Sequence, residues 1–543
     1  MYVGDKKRID VSSSRFKDFI EYGNLYVDKT AFIEHVLQDA SKALLFARPR
    51  RMGKSLNMDT LSVFLDSQKD AAKLFSGLYI ESSPVFGQIN KNPVVYLDFV
   101  SIDSSDLLGA QRSFRAQIIE VIDKFFKPED LKGNLKKYIE DPLDYSPNIL
   151  GLLLKAIAER CGAEPYLLID EYDKVIMDTL GHREGGEIKN FIVAALQSAL
   201  KGQTYFKKAV LTGVTRTTKE NLFSTINNIE TYDIFTPSVY DTDFSLTEDE
   251  MLELVGEDQI AGVRKWYNNM RVGDALLYNI YSVMNYLSDP KAGLKGYWSM
   301  SGGGSLLSKL LAAPLRAEVI GKMIDDERFK HGTKLDHQLN MEHIKNTKRC
   351  SDVSFYTLAV QAGYLTFEPV GFDVYKVFIP NMEARQVWSR LILDRQYRGI
   401  DSDLPSIFDE IANVEAFGKR LTKFVNMVLS YNDIKAREEW VYHVFFLGLV
   451  YSLGYECKSN LEAGLGRFDI MMKSPGFCAV IEFKVSDLET DKAMQKEVEK
   501  ALKQIDDKAY MYELRDSPLP CYKIGIARHG KKCLAKAVLH ISS

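Results

Sequence analysis

Four short apolar runs constrain the fold of this chain more than any other feature. ALLFA (43–47), PVVYLDF (93–99), PYLLID (165–170) and KAVLTG (208–213) are apolar almost throughout, and stretches with helical spacing separate them. Continuous rather than alternating apolarity is typical of parallel strands that helices cover on both faces. The N-terminal part of the sequence therefore predicts an α/β fold built on a parallel sheet.

Two further regions follow the first. In the middle of the chain the strand signals thin out to two short β runs, while Leu, Ala, Met and Tyr recur at helical spacing. An apolar helix, two apolar runs, a charged helix and a final apolar run then indicate a second, smaller α/β domain. We expect an α/β region at 1–245, a mainly helical middle or lid region at 246–433 and a C-terminal α/β domain at 434–543.

The composition places few limits on the partners of the protein. The 543 residues are 46% apolar and 27% charged, as in folded globular proteins. A net charge of -4 gives no overall attraction to nucleic acid or anionic membranes, so such binding needs a local patch. The six cysteines show no metal-ligand spacing, and neither a signal peptide nor a membrane span is apparent. We expect reduced thiols, a cytoplasmic location and no membrane partner.

A phosphate-binding loop follows the first apolar run. Gly53, Lys54 and Ser55 fit the end of the Walker A pattern GxxxxGK[ST], whereas Arg48 stands in place of its first glycine. In such loops the backbone N–H groups cradle phosphates, the lysine reaches the β- and γ-phosphates, and the hydroxyl joins a magnesium shell. Because a bare GKS is common, the order of strand, loop and helix carries this prediction of a nucleotide site.

Two further arginines in this loop leave their role open. Arg50 and Arg51, like Arg48, could bind the phosphates of their own chain, act on those of a neighbouring chain, or contact nucleic acid. Residue types do not choose among these roles, and the second would require several copies of the chain to assemble.

Adjacent carboxylates end the third apolar run. Asp170 would hold magnesium and Glu171 could orient the attacking water, as in a Walker B motif. The alternative is a core strand that runs into a solvated acidic turn. The fourth run ends at the same sheet edge, where Thr215 or Arg216 could sense the γ-phosphate. A surface or helix-capping role fits Arg216 equally well.

A second group of charged residues lies near the C-terminus. Asp469 begins one β run, and Glu482 and Lys484 share a face of the next, so a hairpin would bring all three together. Two carboxylates can bind Mg²⁺, and the ammonium can stabilise charge on a phosphate, although a solvated strand face has the same pattern. The final 23 residues contain no acid, and five cations in them could form a phosphate-binding patch or simply an ordinary basic surface: Lys523, Arg528, Lys531, Lys532 and Lys536.

Taken together, these segments resemble the prokaryotic AAA-ATPase-like family that carries a C-terminal PD-(D/E)xK nuclease-like domain. The resemblance spans nearly the whole chain, and arginine at position 48 is itself part of the family pattern. The matching segments are LYVDKTAFI, ARPRRMGKSL, LLIDEYD, LTGVTR with NLFSTINNI, KWYNNM, LYNIYSV, YWSMSGGGSLL, AGYLTF, FIPNMEAR, GRFDI and VIEFKV.

The resemblance implies a P-loop NTPase domain, a helical middle and a restriction-endonuclease-like fold, with ATP and Mg²⁺ as cofactors. It implies that Lys54, Ser55, Asp170 and Glu171 form the nucleotide site and that Asp469, Glu482 and Lys484 form the nuclease core. Phe468 replaces the signature proline. Gln504 and Tyr510 resemble late family positions, and Glu439 could add a metal ligand or be an exposed helix charge.

We therefore expect an ATP-binding and ATP-hydrolysing protein coupled to a Mg²⁺-dependent nuclease, with DNA favoured over RNA as substrate. Its domain combination fits prokaryotic defence or control of mobile elements. One alternative is an ATP-dependent switch whose C-terminal module binds nucleic acid or protein without cutting. Another is a nuclease whose P-loop holds nucleotide only as a structural ligand.

Overall fold

The computed structural model describes most of the chain. Two compact units are formed by Met1–Trp298 with Thr333–Val377 and by Ser299–Gly332 with Phe378–Ser543. The predicted helical middle contributes to both units, and the domain limits at 245 and 433 stay predictions. The described residues are 2–4, 8–179, 183–201, 205–216, 229–298, 314–326, 328–339, 350–371, 373–396, 408, 410–428, 440–453, 455–459, 462–463, 466–530 and 532–541.

The described helices are numbered in chain order. They are α1 (Phe16–Glu21), α2 (Ala31–Gln38), α3 (Lys54–Leu65), α4 (Leu107–Phe125), α5 (Gly133–Glu140), α6 (Ile149–Cys161), α7 (Lys174–Asp178), α8 (Gly185–Leu200), α9 (Glu248–Val255), α10 (Glu257–Tyr267), α11 (Ile280–Ser288), α12 (Pro314–Asp325), α13 (Asp352–Gln361), α14 (Met382–Gln396), α15 (Val414–Val428), α16 (Trp440–Ser452) and α17 (Asp491–Asp507). Among them, none is both long and apolar enough to cross a membrane.

The described strands are numbered in the same way. They are β1 (Tyr2–Val3), β2 (Tyr26–Val27), β3 (Ala43–Ala47), β4 (Val94–Asp98), β5 (Tyr166–Asp170), β6 (Lys208–Gly213), β7 (Ile229–Tyr232), β8 (Met270–Val272), β9 (Ala275–Leu277), β10 (His331–Thr333), β11 (Thr366–Gly371), β12 (Val374–Phe378), β13 (Glu456–Ser459), β14 (Glu462–Ala463), β15 (Gly466–Arg467), β16 (Ile470–Lys473), β17 (Cys478–Val485), β18 (Cys521–His529) and β19 (Lys532–His540).

The first unit is built on a five-stranded parallel sheet with the order β4-β5-β6-β3-β7. All four predicted apolar runs are strands of this sheet, and β3, β5 and β6 are buried along their whole length. The fifth strand, β7, was not predicted because its sequence IETY is largely polar and only partly buried. Since β6 lies between β3 and β5, the end of β6 separates the phosphate-binding loop from the acidic turn.

The second unit contains a mixed five-stranded sheet with the order β13-β16-β17-β18-β19. The predicted hairpin is present: β16 and β17 are antiparallel, with Ile470 opposite Ile481. The next pair, β17 and β18, is parallel. The charged helix α17 packs on this sheet through apolar residues at helical spacing: Met494, Val498, Ala501, Leu502 and Ile505.

Helix α15 covers one edge of this second sheet. Asn426 donates from Nδ2 to the carbonyl of Cys533 over 3.1 Å and accepts the N–H of Cys533 over 2.7 Å. The hydroxyl of Thr422 accepts the N–H of Ala535 over 2.9 Å. These side chains therefore form hydrogen bonds with backbone groups on the outer edge of β19. Without them, those groups would be available to pair with another strand.

Candidate functional sites

The loop between β3 and α3 has the backbone of a phosphate-binding loop. Gly53 adopts a φ of 79° and Arg51 a φ of 65°, both in the left-handed region. A Cβ atom on Gly53 would meet no atom within 4 Å, so backbone conformation rather than space favours glycine there. Helix α3 begins at Lys54. Its first N–H groups therefore lie at the end of the loop, where they can bind an anion.

Lys54 brings the two predicted nucleotide motifs together. Its side chain is 3% exposed, and its ammonium donates to the carbonyls of Arg48 and Pro49 over 3.2 and 3.0 Å. The same Nζ lies 3.1 Å from Oε1 of Glu171. The lysine expected to contact phosphate is thus paired with the glutamate expected to orient water.

Asp170 lies at the end of β5, opposite Asp98 at the end of β4. Burial raises the pKa of Asp170, and hydrogen bonds from the hydroxyls of Ser55 and Thr212 oppose that shift. The hydroxyl of Ser55 therefore lies next to the carboxylate of Asp170, and a magnesium ion held by both stays a prediction. Burial also raises the pKa of Asp98, and the negative charge of Glu171 adds to this effect.

Thr212 was missed in the sequence prediction. Its hydroxyl bonds to the carboxylate of Asp170, and the N–H of Glu171 approaches the same hydroxyl at 3.3 Å. The only sequence signal was a polar residue inside the otherwise apolar run of β6. Its meaning depends on the strand order, since β6 is the immediate neighbour of β5.

The C-terminal charged residues also come together. The Oδ2 of Asp469 accepts the N–H of Phe483 over 2.7 Å. Glu482 is 2% exposed, and its Oε1 accepts hydrogen bonds from Lys484, over 2.9 Å, and from the side-chain amide of Gln504. Its other oxygen, Oε2, is buried and has no hydrogen-bond partner among the described residues. Burial, and then the charge of Asp469, raise the pKa of Glu482 to about 7.

This donor set fits a divalent cation. A buried carboxylate oxygen without a partner is costly, and a metal ion beside Asp469 and Glu482 would satisfy it. Within the described ranges no group of three or more His, Cys, Asp or Glu side chains has metal-binding geometry. Two carboxylates are nevertheless compatible with Mg²⁺, which retains several waters and takes its remaining ligands from substrate phosphates.

Two more polar residues support the C-terminal site. His443 on α16 is buried, and its Nε2 lies 2.8 Å from the carbonyl oxygen of Asp469. The sequence prediction missed this histidine because it lies in an otherwise apolar helix. Gln504 also lies 3.4 Å from the hydroxyl of Tyr510, so the two late family positions meet beside Glu482. Glu439 lies outside the described residues.

Comparison with known families identifies the domains in which the two candidate sites lie. The model of the AAA-ATPase-like family, described as a predicted AAA-ATPase, matches residues 10–223, and that of the PD-(D/E)XK nuclease superfamily matches residues 437–537. The chain carries an AAA-ATPase-like domain followed by a PD-(D/E)XK nuclease superfamily domain. A protein of Azotobacter chroococcum mcd 1, described as an uncharacterized protein in the vnfD 5' region, is 25% identical over 545 residues and covers 96% of each chain.

Arg48 of the AAA-ATPase-like domain is a core residue. Its guanidinium is fully buried, donates to the carbonyl of Tyr232 over 2.7 Å and lies 5.5 Å from the ring centroid of Phe244. Burial lowers the pKa of Arg48 to about 10. Arginine at the first Walker position therefore ties the loop to β7.

The three other arginines that were candidates for phosphate contacts each interact with a residue other than Asp170. The guanidinium of Arg51 lies 4.2 Å from the ring centroid of Tyr281. Burial raises the pKa of Tyr364, and the positive charge of Arg50 opposes this shift. Arg216 forms a 2.6 Å ion pair with the buried Asp233. The predicted phosphate contacts of these three arginines stay predictions.

Two cations of the basic stretch in the C-terminal domain are paired with acids. Lys523 forms a 2.8 Å ion pair with Asp506, and Lys532 a 2.6 Å ion pair with Asp491, both on α17. Arg528 is buried and Lys536 is exposed, while Lys531 lies outside the described residues. The stretch lacks acids in sequence, but the packed helix supplies them in space.

Proposed function

We propose that this protein hydrolyses ATP in its N-terminal domain and cleaves nucleic acid, preferentially DNA, in its C-terminal domain with the aid of Mg²⁺. The observation that carries the proposal is the Glu482 carboxylate, which is buried beside Asp469 with one oxygen that has no hydrogen-bond partner in the described part of the chain. A buried acid with a strongly shifted pKa and a nearby cation is typical of functional sites.

In the nuclease domain, each residue of the site would have a separate role in phosphodiester hydrolysis. Asp469 and Glu482 would hold the metal ion, which when bound polarises the phosphate and activates water. Gln504 holds Oε1 of Glu482, so Oε2 remains for the cation. The Lys484 side chain is 28% exposed, so its ammonium can reach a phosphate and stabilise the negative charge that develops there.

In the AAA-ATPase-like domain, the residues of the nucleotide site would likewise have separate roles in ATP hydrolysis. The N–H groups at the start of α3 would bind phosphate oxygens, and Lys54 would contact the β- and γ-phosphates. Ser55 and Asp170 would hold the magnesium ion that accompanies ATP. Glu171 would then accept a hydrogen bond from the attacking water and orient it.

A cleavage assay tests the nuclease. Purified protein is incubated with single- and double-stranded DNA and RNA, with Mg²⁺, Mn²⁺ or EDTA. We expect metal-dependent cleavage of DNA that Asp469→Ala abolishes. Asp516→Ala is a matched control because this carboxylate is 87% exposed, and it should cleave normally. If wild type binds DNA but cuts no substrate under any condition, the non-cutting switch replaces this proposal.

Coupling of the two activities is the second part of the proposal, and only the combination of domains supports it. We infer that ATP turnover controls DNA cleavage in the prokaryotic cytoplasm, in defence or in control of mobile elements. Cleavage is compared with ATP, without ATP, and in Lys54→Ala. Equal cleavage rates in all three would refute the coupling. Plasmid and phage challenge of cells that express wild type or Asp469→Ala tests the biological role, which requires that only wild type restricts them.

A further inference from the structure

A buried contact joins the turn after β5 to the loop after β6. The carboxylate of Asp173 is 1% exposed, and its Oδ2 accepts the N–H of Val214 over 3.1 Å. The same oxygen accepts the N–H and the hydroxyl of Thr215, each over 2.7 Å. Tyr172 adds a 2.6 Å hydrogen bond from its hydroxyl to the carbonyl of Thr215. We call Tyr172, Asp173, Val214 and Thr215 the clamp.

The clamp is a tight and costly arrangement. A Cβ atom on Gly213 would lie 2.5 Å from the ring of Tyr172 and 2.7 Å from Oδ1 of Asp173, so no larger residue fits there without a shift. Burial of a carboxylate is strongly unfavourable unless donors compensate it. Here all three donors come from two consecutive residues, which fixes the position of that loop against the turn.

The clamp constrains Glu171 from one side. On the other side, Asp170 belongs to β5 and is fixed by the sheet. Between these two anchors Glu171 adopts a φ of 51°, a left-handed conformation that costs a glutamate about 1–2 kcal/mol. A residue in such a conformation persists only where its surroundings enforce it. Its carboxylate reaches the Nζ of Lys54 from this backbone position.

The clamp also sets the position of Arg216. This arginine directly follows Thr215, and its carbonyl accepts the N–H of Leu339 over 2.8 Å. Asp173 and Tyr172 thus link the turn of Glu171 to the loop of Arg216, and Asp173 accepts three of the four hydrogen bonds described above.

We propose that Asp173 is a positioning residue for ATP hydrolysis, which holds Glu171 in its left-handed backbone conformation by tying the acidic turn to the loop that precedes Arg216. This inference rests on the proposed ATPase function. It differs from a role in nucleotide binding, since the carbonyls of Arg48 and Pro49 also hold Lys54 and neither belongs to the clamp. A lost clamp should therefore slow the chemical step and leave ATP affinity intact.

Steady-state ATPase kinetics of the full chain, with the Kd of a non-hydrolysable ATP analogue, test the inference. Asp173→Ala should lower kcat about 10- to 100-fold, the usual range for a misplaced catalytic group, with a Kd within about threefold of wild type. Asp173→Asn should restore most of kcat, because its amide oxygen can replace Oδ2 as the acceptor. Thr215→Val should have a kcat between those of Asp173→Ala and Asp173→Asn. It replaces Asp173→Ala as the test if that variant does not fold. Asp178→Ala, with an exposed carboxylate on α7, is the matched control.

The outcomes distinguish a failure of the proposed ATPase function from a failure of the positioning role of Asp173. A wild-type protein that binds the analogue but releases no phosphate overturns the ATPase function itself. If wild type hydrolyses ATP and Asp173→Ala keeps its kcat, the positioning role is wrong. A parallel loss of analogue binding and of hydrolysis in Asp173→Ala and Thr215→Val assigns the clamp to folding of the site, and this also overturns the inference.

Discussion

Glu482→Gln should stabilise the metal-free protein at alkaline pH. The pKa of Glu482 is raised from 4.5 to about 7 in the folded chain. The carboxyl group therefore binds its proton more tightly when folded, and its contribution to stability is present below about pH 4.5 and lost as the pH rises through 7. A shift of this size corresponds to about 3 kcal/mol, of which roughly 2–3 kcal/mol falls between pH 5 and pH 8.

Glutamine removes this titration while retaining the shape of the side chain. Its amide oxygen can still accept from Gln504 and Lys484, so we expect nearly equal stability of variant and wild type near pH 5. Near pH 8 the variant should be more stable by about 2–3 kcal/mol in EDTA. Mg²⁺ should stabilise wild type by binding the folded state, but it should have little effect on the variant.

The assay is urea unfolding near pH 5 and near pH 8, with hydrogen exchange at the β17 amides to follow this sheet. The difference between variant and wild type cancels the titration of other groups. Glu499→Gln on the exposed face of α17 controls for the loss of a surface charge. If Glu482→Gln is less stable than wild type at both pH values, Glu482 acts as an ordinary ion-pair partner and the reasoning about the metal site fails.

Four shorter predictions concern other contacts. Lys54→Ala should weaken ATP binding about 10- to 100-fold, the value of a charge-assisted hydrogen bond, in calorimetric titrations; unchanged affinity would contradict the site. Arg48→Gly should lower the free energy of unfolding by about 2–4 kcal/mol in urea, despite matching the Walker consensus. Asn426→Ala should speed hydrogen exchange at Cys533 at least tenfold, because the amide loses its partner. Glu171→Gln should bind an ATP analogue several-fold more tightly, because it releases Lys54; weaker binding would refute this.

Strand positions were predictable because burial on two faces leaves a continuous apolar run. The same rule failed for β7, whose residues are largely polar and partly exposed. The pairing of Asp469 with Glu482 followed from a short hairpin, since local connection fixes antiparallel neighbours. Sequence periodicity sufficed for this hairpin because its two strands are close along the chain.

Contacts between distant segments could not be read from the sequence. Asp173 and Thr215 are separated by 42 positions, and their contact depends on β5 and β6 being neighbours. The ion pairs of the basic stretch were hidden for the same reason, because the acids that pair with Lys523 and Lys532 come from α17. Strand order and helix packing are properties of the whole domain, and residue types alone do not reveal them.

Both candidate sites pair a lysine with the glutamate that the chemistry requires. Lys54 lies 3.1 Å from Glu171, and Lys484 lies 2.9 Å from Glu482. At the nucleotide site a phosphate would compete with Glu171 for Lys54, so binding has to replace a buried ion pair. At the nuclease site a cation would bind Oε2 of Glu482, while Oε1 keeps its hydrogen bonds from Lys484 and Gln504. Nucleotide affinity therefore includes the free energy needed to separate Lys54 from Glu171, which is why Glu171→Gln should gain affinity for nucleotide. Glu482→Gln should lose affinity for metal because it removes a negatively charged ligand.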